Sequence, residues 1–92
     1  MEIKYSKKFN TQLLKILDFI SLDSEARAKE FASDLNNKIL DTTFMPYRFR
    51  KNRVINDDKV WNLIFKGYVI PFAINDNFIE ILGIYKHNLW KP

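Results

Sequence analysis

Apolar residues recur along this chain with two different periods, one in each half. In the first half Phe9, Leu13, Ile16, Leu17 and Ile20 fall three or four apart, while Lys7, Lys8, Gln12 and Lys15 take other faces. That spacing predicts an amphipathic helix of about four turns. Ser6 stands where an N-cap is needed. Ser21 and Asp23 mark a stop near Ile20, and either can cap a second helix. Ala28, Phe31, Ala32, Leu35 and Ile39 form the next stripe and predict a helix over residues 24–40, with Glu25, Arg27, Lys29, Glu30, Asp34 and Lys38 facing water. Two helices joined by so short a link form an αα-hairpin.

The second half follows a strand pattern. Residues 60–65, 68–74 and 78–85 are rich in β-branched and aromatic side chains. Gly67 separates the first pair of runs, and Asn75, Asp76 and Asn77 separate the second. Such runs, divided by short turn signals, predict an antiparallel meander. In the first run Trp61, Leu63 and Phe65 share one face, but Val60 and Ile64 make the other face apolar too. A central strand covered on both sides is therefore expected. In the third run Ile79, Ile81, Gly83 and Tyr85 alternate, and His87 continues their phase. Residues 2–5 alternate as a short strand that can join the meander, and a further short strand is expected around residues 47–50. The order is β-α-α-β-β-β(-β). Helices segregated in sequence from a mainly antiparallel, twisted sheet define an α+β fold.

Composition narrows the picture. The chain has 92 residues, which gives room for a single domain over 1–92. A 47% hydrophobic content with eight Phe argues for a packed core. The chain has no cysteine, so a disulfide framework and a thiolate zinc site are excluded. No apolar run approaches the ~20 residues that span a bilayer. No signal peptide is evident at the start, and a cytoplasmic protein is expected. The net charge of +4 suits a polyanionic or an acidic protein partner. Much of that charge is concentrated after Pro46, where Arg48, Arg50, Lys51 and Arg53 are interleaved with Tyr47 and Phe49.

In its layout the chain resembles the RelE/ParE superfamily of small bacterial toxins from type II toxin–antitoxin systems. The resemblance covers nearly the whole chain: a short first strand, a helical hairpin, a basic segment after proline and a three-strand meander. Its local carriers are LIFKGYVIPFAI (residues 63–74), with Phe72 where members often carry Tyr, and FIEILGIYKHNLW (residues 78–90). The resemblance implies a cognate antitoxin as partner. It also implies one of two activities. RelE-like members cleave mRNA, usually on the ribosome. ParE-like members poison DNA gyrase and need no nuclease site. Members often carry an Arg directly after the Tyr that starts the strand, where this chain has Val69. Many carry another in the preceding strand, near Trp61 here.

Metal-free RNA cleavage needs a base for the 2′-OH, cations for the developing phosphate charge and an acid for the leaving oxygen. His87 is the only histidine and is the candidate acid or base. Arg50, Lys51 and Arg53 are candidates for phosphate neutralisation. Arg48, Lys66 and Lys86 are candidates for nucleic-acid binding, and Tyr47 and Phe49 for base stacking. On an extended chain Arg48 and Arg50 share one face while Lys51 and Arg53 share the other. The plain alternatives are a solvated basic surface, a docking site for an acidic antitoxin, and a histidine at an ordinary strand end. Trp61, Tyr68 and Tyr85 read as core residues. Trp90 reads either as a lid on the sheet or as part of a site rim. Asp57, Asp58 and Asp76 fall in turn segments, so no metal site and no cofactor is expected. The leading expectation is a metal-independent mRNA endonuclease. Its alternatives are a gyrase inhibitor and an inactive antitoxin-binding member.

Overall fold

A computed structural model describes residues 2–44, 50–51 and 59–86 of the chain. The elements run β1 (Glu2–Tyr5), α1 (Lys7–Asp23), α2 (Glu25–Asp41), β2 (Arg50–Lys51), β3 (Val60–Phe65), β4 (Tyr68–Ile74), β5 (Phe78–Ile81) and β6 (Tyr85–Lys86). The fold is α+β. The helical hairpin covers one face of a mixed sheet with strand order β1-β5-β4-β3-β2, and β6 also pairs with β4. Among the described strands only the β1–β5 pairing is parallel, as Glu2 lies opposite Phe78 and Tyr5 opposite Ile81. The expected extra strand is β2, at Arg50–Lys51; residues 47–49 lie outside the described residues, as do Asp57, Asp58 and Trp90.

The helix boundaries differ from the sequence expectation by a few residues. α1 runs through Ser21 to Asp23. Ser21 does not cap; its hydroxyl donates back to the Asp18 carbonyl inside the helix at 2.8 Å. Asp23 does not cap either, and instead holds Arg27 at 3.0 Å one turn on. Ser24 serves both helices. Its N–H closes α1 on the Ile20 carbonyl, and its hydroxyl accepts from the Arg27 N–H at the start of α2. One residue in an extended conformation therefore makes the whole turn.

The core lies between hairpin and sheet. Phe9, Phe31, Leu35 and Ile39 from the helices pack with Leu63, Phe65, Ile70, Phe72, Ile74, Ile79, Ile81 and Ile84. Leu13, Ile16, Leu17, Ile20, Trp61 and Tyr68 are half-buried around it. On the opposite sheet face Val60, Val69 and Pro71 are also buried, whereas Ile64 is exposed. The second face of β3 is thus covered at one end and open at the other.

The third run of the meander is not one regular strand. β5 holds Phe72 opposite Ile81, and the Leu82 N–H donates to the Pro71 carbonyl. β6 then holds Val69 opposite Tyr85 and Tyr68 opposite Lys86. Two residues, Gly83 and Ile84, therefore face Ile70 alone, which is a β-bulge. In a regular antiparallel pair the Leu82 carbonyl would accept from the N–H of residue 71. Residue 71 is proline and has no N–H. The Ser6 hydroxyl fills the vacancy, donating to the Leu82 carbonyl at 2.8 Å while accepting from the Phe9 N–H. Gln12 completes the arrangement, its side-chain oxygen accepting from the Ile84 N–H at 2.9 Å. The bulge reverses the phase of the strand. Tyr85 shares the face of Val69 rather than that of Ile79 and Ile81, and Lys86 takes the helix-side face of Tyr68.

Candidate functional site

The β3–β4 hairpin turns through Lys66 and Gly67, both with positive φ (48° and 83°). Two such residues make a tight primed turn that matches the strand twist. Glycine accepts this backbone freely, whereas lysine at positive φ is strained. The turn carries Lys66 back over the core to α2. Its ammonium lies 3.3 Å from the Asp34 carboxylate and 5.3 Å from the Phe65 ring centre. Phe31 of α2 meets Phe65 and Tyr68 edge-on, at 5.2 and 5.5 Å between ring centres. Lys86, aimed here by the bulge, sits 5.8 Å from the Tyr68 ring. Two ammonium groups thus flank a three-ring cluster at one end of the sheet.

Shallow depressions border Lys66 on both sides. One, of about 340 Å³, is lined by Ile20, Arg27, Glu30, Phe31 and Lys66. The other, of about 320 Å³, is lined by Asp34, Asn37, Lys38, Asp41, Phe65 and Lys66. The surroundings therefore carry mixed charge. Chemically this end can hold an anion between cations, with carboxylates close enough to compete for them.

The structure brings together only some of the expected site residues. Lys66 and Lys86 share this end. Arg50 and Lys51 lie in the edge strand β2, opposite Asn62 and Trp61. Three strand spacings and about four residue rises separate Lys51 from Lys86, roughly 20 Å between Cα atoms. Tyr47, Arg48, Phe49, Arg53 and His87 lie outside the described residues. Val69 is buried between Ile64 and Tyr85. Among the described residues no cluster of three or more His, Cys, Asp or Glu could hold a metal ion.

Sequence reasoning missed the parts played by Asp34 and Gln12, since both read as polar positions facing water. Asp34 had a signal: it stands one turn beyond Phe31, on the flank of the buried stripe. Gln12 had one too, because it lies within the helix whose apolar stripe must dock. Pro71 in a central strand was a signal for the bulge, as a proline there forfeits a ladder hydrogen bond. Among the described residues no helix is long and apolar enough to cross a membrane.

The chain is thus a small α+β domain, a helical hairpin on a mixed sheet with two lysines at the end formed by the primed turn and the last strand. A solved structure described as the chromosomal ParDE TA system from P. aeruginosa superposes with a TM-score of 0.75 at 20% identity, covering 94% of this chain and 95% of that chain. At that identity the likeness speaks for the fold. The family model for the ParE toxin of type II toxin–antitoxin system, parDE, matches residues 3–88. The chain belongs to the ParE toxin family. No curated protein sequence matches it significantly.

Proposed function

We propose that this chain is the toxin of a toxin–antitoxin pair, silenced by a cognate antitoxin polypeptide, and that it arrests growth by inhibiting DNA gyrase without cleaving RNA. It acts in the cytoplasm as a single domain over residues 1–92. The observation that carries the reading is the match of the ParE toxin family over residues 3–88. Buried Val69 supports it, because the resemblance to nuclease-type members implies an Arg there and this chain has a core aliphatic instead.

A nuclease reading draws support from Lys66 and Lys86, which lie at one end of the sheet as cations for a phosphate backbone would. In that reading His87, with Arg50, Lys51 and Arg53, performs the transesterification of mRNA, on or off the ribosome. Arg48, Tyr47 and Phe49 then help hold the strand.

Purified chain, wild type and His87→Ala, is assayed for supercoiling by gyrase and for cleavage of single-stranded RNA in EDTA, with ribosomes absent and present. Inhibition of supercoiling by both proteins, with RNA intact, is the expected result. RNA cleavage that His87→Ala reduces by ~10²-fold or more, with supercoiling untouched, overturns the gyrase reading in favour of the nuclease. An inactive family member would leave both assays blank while still binding the antitoxin.

A further inference from the structure

Lys66 is an unusual residue for its place. The first position of a primed two-residue turn is normally Asn, Asp or Gly, because an L side chain at positive φ is disfavoured by roughly 1 kcal/mol. Here that position is Lys66 at φ 48°, with its side chain held by Asp34. The ion pair is half-exposed on both partners. Such a pair contributes only about 0–1 kcal/mol, so it does not by itself account for the choice of lysine. Strain kept at an exposed cation argues for a use beyond the fold.

The surroundings decide what such a cation can receive. Glu30, Asp34 and Asp41 of α2 line the two depressions beside Lys66, together with the cations Arg27 and Lys38. Both signs of charge share this surface, which matches a partner that itself carries both signs better than a nucleic-acid backbone with a negative charge at every step. Phe31 and Phe65 are buried to 7% and 6% exposure, so neither offers a face for a base to stack on. A peptide meets neither objection. One of its carboxylates can replace Asp34 on Lys66, a second can reach Lys86, and its cations can face Glu30 and Asp41. Its apolar side chains can rest on half-buried Ile20.

We infer that Lys66, with Lys86 across the Phe31–Tyr68 pair, is a docking site for a carboxylate-bearing amphipathic peptide segment, and that Asp34 occupies the site as an internal competitor until the peptide arrives. Resting on the toxin reading above, the site assigns that segment to the antitoxin. Arrival of the peptide carboxylate exchanges one ion pair for another. The gain is then the difference between two similar contacts, and such a site tunes affinity by a modest factor.

The test uses the full chain and its co-encoded antitoxin, with affinity and melting temperature read for Lys66→Asn, Asp34→Asn and Lys86→Gln. Asn suits the turn better than Lys, so Lys66→Asn is expected to melt no lower than wild type while binding about 5- to 10-fold more weakly. Asp34→Asn removes the competitor and is expected to bind about 2- to 3-fold more tightly. Lys86→Gln is expected to weaken binding by a few-fold. Unchanged affinity in Lys66→Asn overturns the docking site alone. Weaker binding in step with a lowered melting temperature assigns Lys66 to the fold, and overturns it too. Loss of oligonucleotide binding in Lys66→Asn with antitoxin affinity intact makes the ligand a nucleic acid. Failure of the wild-type chain to bind the antitoxin overturns the toxin reading, and the proposal with it.

Discussion

The two edges of β4 are built on different principles. Along one edge it meets β3 in an unbroken antiparallel register from Val60–Ala73 to Phe65–Tyr68, closed by the Lys66-Gly67 turn. Along the other it meets β5 and β6, whose registers differ by one residue across the bulge at Gly83 and Ile84. The first edge is fixed by local chemistry: alternating side chains and a turn whose glycine permits positive φ. The second is fixed from outside the sheet, by Ser6, the cap of the first helix, and by Gln12 within it. The regular edge provides the scaffold. The irregular edge decides which face Lys86 occupies, and so whether the two lysines meet on one side.

The largest effect should come from the residue that both edges share. Phe72 is fully buried in β4, opposite Trp61 on one side and Ile81 on the other. Phe72→Ala should lose about 3–5 kcal/mol in urea unfolding, a large part of the stability of a domain this size. Backbone amides on both edges should lose exchange protection together.

A smaller effect should be confined to the bulge. A Cβ at residue 83 would lie 2.8 Å from the Gln12 side-chain oxygen. Gly83→Ala therefore displaces Gln12 and leaves the buried Ile84 N–H without its acceptor, a loss of about 1–3 kcal/mol. Placed on Gln12→Ala, which has already removed that acceptor, the same substitution should add almost nothing. A double-mutant cycle that came out additive would break the argument.

Ser6 and Pro71 offer a second cycle at the same edge. Ser6→Ala removes the α1 cap and the donor to the Leu82 carbonyl, at a cost of about 1–2 kcal/mol. Pro71→Ala restores an N–H that can reach that carbonyl. The double variant should therefore recover part of the Ser6→Ala loss, by roughly 0.5–1.5 kcal/mol.

This contrast also explains what could be read in the sequence. The helical stripes around Phe9 and Phe31 and the runs of β3 and β4 are local patterns, and all were legible. The link at Ser24 was misplaced by a few residues because Ser21 and Asp23 are equally good caps in isolation. Their side chains found other partners, and only packing made that choice. The bulge was misread because strict alternation of Ile79, Ile81, Gly83 and Tyr85 mimics a regular strand. Its determinants are more than 70 positions away in Ser6 and Gln12. For the candidate site, Lys66 and Lys86 were named as cations, but the Asp34 partner was not. No periodicity tells a helix carboxylate that it will face a hairpin turn. Arg50 and Lys51 were grouped with the C-terminal cations by charge alone, whereas the strand order puts them at the far edge.

The turn itself should respond on a smaller scale. Gly67 has open space where a Cβ would stand, so Gly67→Ala meets only the backbone penalty at φ 83°. That is about 1 kcal/mol in thermal or urea unfolding, with no change at the bulge amides.

The smallest effect is a pH dependence at the seam where the irregular edge meets β1. Tyr5 pairs with Ile81 and packs its ring on Phe9 at 5.6 Å. Partial burial raises its phenol above the ordinary value of 10.0. A pKa raised in the folded state means that folding favours the protonated, neutral phenol. Its contribution is therefore complete below the unfolded value and is lost as pH rises through the folded one. The urea midpoint of wild type should fall as pH climbs from about 9.5 upward, in the range where tyrosine ionises. Tyr5→Phe keeps the ring on Phe9 and removes the ionisation, so its midpoint should fall less steeply over the same range. Parallel slopes for the two proteins would mean that the alkaline loss arises elsewhere, and that β1 holds the bulged edge through its backbone and Ser6 alone.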